Sequence, residues 1–127
     1  MVSTNEKVEA LHFEHRLWTN ELKFFADELK IYEHRLEELT QKVLEREALQ
    51  QLEHFQNQFI RQKEVLDTLM HDINAHEHRL TVAMKNETAF EEDPSYHRSL
   101  SSQMESYRSI YADLKKEFMV YLSKYYH

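Results

Sequence analysis

The hydrophobic pattern along this chain advances in alternating steps of three and four residues. In the first segment the seam reads Val8, Leu11, His15, Trp18, Leu22, Phe25, Leu29, Tyr32, Leu36, Leu39 and Val43. In the second it reads Leu52, Phe55, Phe59, Gln62, Leu66, Leu69, Ile73, His76, Leu80 and Ala83. In the third it reads Leu100, Met104, Tyr107, Tyr111, Leu114, Phe118, Tyr121 and Tyr125. A 3–4 alternation places one residue per turn on a single helix stripe, as in a heptad seam. The pattern predicts three long helices, over about 4–45, 48–87 and 94–126. Ser3 with Glu6 fits a capping box before the first, and Asp93 with Pro94 fits an N-cap and first helical residue for the third.

The two connections differ in clarity. The polar stretch "NETAFEED" (86–93) is a loop. The stretch "LEREALQ" (44–50) contains neither Gly nor Pro, and there the evidence for a break is phase. Continuing the first heptad puts the seam at Arg46 and Gln50, whereas the second seam uses Leu49 and Leu52. A jump of two residues turns the stripe by roughly 200°, which a tight hairpin explains better than a helix of some 80 residues. The expected fold is therefore all-α, a single domain over 1–127, arranged as an antiparallel up-down-up three-helix bundle. Its length would be about 50–60 Å at ~1.5 Å rise per residue.

Composition strengthens this reading. The 127 residues include no Gly and one Pro, so the turns of an all-β fold have nothing to build them. There is no Cys, hence no disulfide and no thiol chemistry. Net charge is −7, which speaks against binding driven by Lys and Arg on phosphates. Residues 1–47 carry seven basic and eleven acidic groups, 48–93 four and nine, and 94–127 five and three. The basic last segment is expected to pack on the acidic ones. No apolar run approaches the ~18 residues of a membrane span, and the first residues lack the basic and apolar regions of a signal peptide. The cytoplasm is the expected location, with no nucleic-acid or membrane partner.

Polar residues on a core seam are the positions that call for chemistry. A hairpin turning near 46–47 sets His15 and His76 in one layer, with His12 and Asp72 a turn away on the same faces. His12, His15, Asp72 and His76 form a candidate site for Zn or another divalent first-row metal between helices 1 and 2. The alternative is a hydrogen-bonded polar layer that fixes register, with no cofactor. A ferritin-like di-iron site needs Glu-x-x-His on two helices; this chain has one, Glu9 to His12. His34, His54, His71, His78 and His97 lie off the seams and are expected in solvent. Gln62 is expected to pair with Tyr32.

"EHRL" occurs three times, at 14–17, 33–36 and 77–80. The copies sit in different heptad phases, so they are no structural repeat. Glu77, His78 and Arg79 of the third copy are expected to look outward or sideways. Six of the seven Tyr lie in the last segment. They read as core with hydroxyls at the rim, or as a partner face in which Tyr111, Tyr121, Tyr125 and Tyr126 are candidate interface residues.

In architecture the pattern resembles spectrin-type three-helix coiled coils, down to a Trp early in the first helix. "LHFEHRLWTNELKFF" and "LEHFQNQFI" resemble stretches of small uncharacterised bacterial helical-bundle proteins. That resemblance implies the fold and no activity. No nucleophile–base set, phosphate loop or catalytic elbow is present. The expectation is a non-enzymatic interaction or scaffolding module with a protein partner or itself as a homodimer, the alternative being a metal-binding bundle.

Overall fold

The computed structural model describes residues 4–42, 44–86 and 94–125, with side chains from residue 7 in the first helix and 95 in the third. The described residues form three helices: α1 (Thr4–Leu39), α2 (Arg46–Lys85) and α3 (Pro94–Tyr125). They pack as an all-α bundle. Tyr32 meets Phe59 and His15 meets His76, so α1 and α2 run antiparallel. His97 meets Trp18 and Phe118 meets Tyr32, so α3 returns parallel to α1. Ser3, Asp93 and the loop at 87–93 lie outside the described residues, as do Val43, Tyr126 and the side chain of Glu6.

The seams are the core. Every expected seam residue of α2 is buried, and Ala48 joins them. On α3 the run from Leu100 to Tyr121 is buried. On α1, Leu11 and Phe25 are half-buried while the other described seam residues are buried. Each fully buried Leu or Phe removes enough apolar area from water to contribute roughly 1.5–3 kcal/mol. Spread along three helices, that term offsets the entropy of ordering them.

The hairpin is real, and α1 ends at Leu39, six residues before the expected end. The backbone shows how. Thr40 N–H is shared between the Leu36 and Glu37 carbonyls, and Gln41 and Lys42 bond only three residues back, to Glu38 and Leu39. The last turn thus tightens from α to 3₁₀ spacing. Thr40 Oγ1 also donates to the Glu37 carbonyl at 2.6 Å, satisfying an acceptor the helix end leaves open. Leu39 is the last buried residue of α1, so nothing beyond it rewards continued helix. Glu45 then takes an extended conformation and its carbonyl accepts from Leu49 N–H, starting α2.

Tyr32, Tyr107, Tyr111 and Tyr121 face inward. Tyr111 and Tyr121 are buried and Tyr125 is half-buried, so the expected partner face at Tyr111 and Tyr121 does not exist. Their hydroxyls find partners inside. Tyr121 donates to the Ala48 carbonyl at 2.9 Å, Tyr107 to the Gln62 carbonyl at 3.4 Å and Tyr111 to Glu28 at 2.6 Å. Burial pushes the hydroxyls of Tyr32, Tyr107, Tyr111 and Tyr121 above the usual phenol range, with Glu28 adding to Tyr32 and Tyr111. Burial by itself would raise Glu28, but hydrogen bonds from Tyr111, Lys115 and Tyr32 together hold its carboxyl below the usual range. The expected Gln62–Tyr32 pair is absent. Tyr32 packs on Phe59 and Phe118, about one turn away from Gln62. Among the described residues the buried Gln62 Oε1 has no hydrogen-bond partner.

The charge asymmetry is spent within the bundle. Arg108 bonds Glu21, Lys115 reaches Glu28 at 3.1 Å and His97 reaches Glu14 at 3.3 Å, all joining α3 to α1.

Candidate metal centre

At the end of the bundle where α1 begins, α2 ends and α3 begins, the three seams each contribute one histidine. His15 and His76 are 1% and 2% exposed, and His97 is half-buried. The ring centroids of His15 and His76 are 4.9 Å apart, edge to face; His97 lies 5.9 Å from His15 and 6.4 Å from His76. One ring nitrogen from each of the three lies within 4.8 Å of the other two. Trp18 closes one side, its ring stacked on His97 at 5.2 Å, and Tyr96 lies 5.1 Å from His76.

The outer nitrogens are held by charged side chains. His15 Nδ1–H donates to Glu77 Oε2 at 2.6 Å, and the other oxygen of Glu77 accepts from His12 Nδ1–H. One carboxylate of α2 therefore grips two histidines that lie one turn apart on α1. His97 Nε2 contacts Glu14 Oε1 at 3.3 Å, while its Nδ1 is buried. His76 differs: its Nδ1 is approached by Arg79 Nη2 at 3.2 Å.

A carboxylate on the outer nitrogen fixes an imidazole's tautomer and leaves the inner nitrogen with its lone pair. His15 meets that description in full. Its Nε2 is buried and, among the described residues, has no hydrogen-bond partner. A buried polar atom left this way costs about 1–3 kcal/mol. Three imidazoles on Zn²⁺ or a similar ion sit at ~2.0–2.1 Å from the metal, which for tetrahedral ligands sets the nitrogens about 3.3 Å apart. The present nitrogens, within 4.8 Å of one another, would have to draw closer to meet it. A fourth position would remain for water or another ligand.

The sequence placed two of these three residues. His15 and His76 share a layer, as expected. His12 and Asp72 do not join it: His12 is about half exposed and bound to Glu77, and Asp72 is half-buried outside the converging set. His97, expected in solvent, takes the third place. A signal for it existed, since His97 lies three residues before Leu100 and seven before Met104, continuing the third seam by one step. Glu77 and Arg79 were expected to point away. Their side chains reach back to α1 and to His76, because a long side chain on a flanking position can cover the seam. The converging set is all imidazole, so it does not have the carboxylate-rich composition of a di-iron site.

No protein-family model, no curated protein and no solved structure matches this chain. Among the described residues, no helix is long and apolar enough to cross a membrane.

Proposed function

We propose that this bundle binds one divalent first-row transition ion through His15, His76 and His97. The observation that carries the reading is His15 Nε2: a buried lone pair with no donor among the described residues, opposite two more imidazoles and with its outer nitrogen fixed by Glu77. A layer that existed only to fix register would be expected to satisfy that atom. Imidazole ligands favour Zn²⁺, Co²⁺, Ni²⁺ or Cu²⁺ over Mg²⁺ or Ca²⁺. The ion would tie all three helices together at one end.

Calorimetric titration of the untagged chain with Zn²⁺ and Co²⁺ tests this. The expected result is one ion per chain, lost in His15→Leu and in His97→Leu and kept in His78→Leu, which alters an exposed histidine. Absence of binding at micromolar free ion would overturn it.

A second reading, self-association as an interaction or scaffolding module, is favoured by a different observation. Phe13, Leu17, Phe24 and Ile31 are each more than half exposed on α1. Leu17, Phe24 and Ile31 recur at intervals of seven, the spacing of a coiled-coil seam, which the same stripe on a second copy would match. Light scattering tests it: a dimer mass that falls to the monomer in Phe24→Glu supports the reading, and a monomer in the unaltered chain ends it.

A further inference from the structure

Two of the three cluster histidines have an acid behind them and the third has a base. We infer that Arg79 is a built-in competitor for His76, so that this site exchanges its ion instead of holding it permanently. The inference rests on the metal reading above.

A guanidinium has only N–H donors. With Arg79 Nη2 3.2 Å from His76 Nδ1, that nitrogen must accept, and the neutral ring then carries its proton on Nε2. An ion needs a lone pair. At Nδ1 the lone pair is covered by Arg79; at Nε2 it is used by the proton. Either way, His76 is withheld while Arg79 stays in place. His15 is the reverse case, with Nδ1–H donated to Glu77 and Nε2 open. The Glu14 contact at His97 Nε2 works in the same sense as Glu77 at His15.

Arg79 has a second attraction besides His76. It is exposed on α2, and its guanidinium already lies 5.5 Å from the centre of the Tyr96 ring, where a cation is attracted without His76. When it leaves, the His76 proton moves through solvent from Nε2 to Nδ1, or the ion takes Nδ1 directly. The ring stays neutral in both cases, so no net charge is taken up or lost there. An arriving dication repels the guanidinium, so ion binding and Arg79 release favour each other reciprocally. The measured affinity is then the intrinsic affinity reduced by the fraction of molecules in which His76 is free of Arg79.

The test compares Zn²⁺ binding by the unaltered chain, Arg79→Leu and Arg98→Leu, by calorimetry at low and high salt. Arg98, next to His97 in sequence and exposed, controls for simple loss of positive charge. Arg79→Leu is expected to bind at least about fivefold more tightly, and to keep that gain at high salt, because a blocked lone pair is not screened. Arg98→Leu is expected to give a smaller gain that salt removes. Nitrogen NMR of the ion-free chain gives an independent readout: His76 carries its proton on Nε2 in the unaltered chain and loses that preference in Arg79→Leu. Equal affinities for the unaltered chain and Arg79→Leu overturn the inference while leaving the metal site standing. So does a gain matched by Arg98→Leu, or a His76 protonated on Nδ1. If no variant binds Zn²⁺, the metal reading itself falls, and this inference with it.

Discussion

The two ends of this bundle bury rings of similar size on the same seams, yet they are held in different ways. Toward the α1–α2 hairpin, Phe55, Phe59, Phe118 and Tyr121 pack with centroids 4.9–6.4 Å apart, and Tyr32 lies against Phe59 and Phe118. Phe59 and Phe118 meet edge to face, the arrangement the ring quadrupoles prefer. The hydroxyl of Tyr121 there ends on a backbone carbonyl. At the other end His15, His76 and His97 take the same seam places, with Glu77, Glu14 and Arg79 behind them. A phenyl ring asks nothing of its neighbours beyond contact. An imidazole brings two nitrogens that each need a partner, and at His15 one of them has none among the described residues. The hairpin end needs only contact, whereas the histidine end leaves a buried nitrogen that the described residues do not satisfy.

That contrast predicts where substitutions do most harm. Phe118→Ala at the hairpin end should cost the most, about 3–5 kcal/mol in urea unfolding, because rigid rings on two other helices cannot collapse into the space. A loss under ~2 kcal/mol would mean that the aromatic end is loosely packed. Next in size is the effect of an ion on the histidine end. Zn²⁺ at about a hundred times its dissociation constant should stabilise the chain by ~2.7 kcal/mol, and should leave His15→Leu unchanged. Without metal, His15→Leu should be close to neutral, since the change removes an unpaired buried nitrogen together with one bond to Glu77, which keeps His12 as a partner. A marked loss in metal-free His15→Leu would show that the layer is held by hydrogen bonds of its own.

Glu77→Gln should weaken Zn²⁺ binding by about 10–100-fold, the usual effect of removing the carboxylate behind a ligating histidine, with little change in metal-free stability. An unchanged affinity would reduce Glu77 to a surface contact. The smallest effect concerns the middle of the rod. Glu28 has a lowered pKa through Tyr111, Lys115 and Tyr32, so its contribution is present above the ordinary carboxylate range and is lost as pH falls through its folded value. Glu28→Gln should therefore flatten the acid limb of the stability curve by about 1 kcal/mol and leave the histidine end's affinity for Zn²⁺ at neutral pH unchanged. The raised tyrosine hydroxyls act at the other limb: stability is full below the ordinary phenol pKa and falls as pH rises through the folded values.

Most of the fold was legible in the spacing. Seven of eight α3 seam residues and all ten of α2 are buried where the 3–4 alternation put them. Phase alone located the hairpin near residues 44–50, though it could not reveal that α1 stops at Leu39 and gives way to 3₁₀ spacing. The site was half legible. His15 and His76 stood out because polar residues on a seam are rare. His97 carries a weaker signal, because a histidine one step before the apolar run that starts at Leu100 reads as solvent. Glu77 and Arg79 lie beside the seam, and heptad position gives the direction of a Cβ, not the reach of a long side chain. "EHRL" is no structural repeat, yet in its third copy Glu77 and Arg79 face His15 and His76 with opposite charge.

Sequence by itself determined the class, the number of helices, their antiparallel order and the residues that line their seams. Those follow from a short-range rule, 3.6 residues per turn, that each segment obeys without reference to the others. Only the tertiary structure decided which residues of different helices share a layer. Relative register is set by how ridges of three helices interlock and by where each hairpin turns, and an offset of two or three residues changes every partner. It moved Tyr32 from Gln62 to Phe59, replaced Asp72 by His97, and placed an arginine where a third carboxylate would have completed the set.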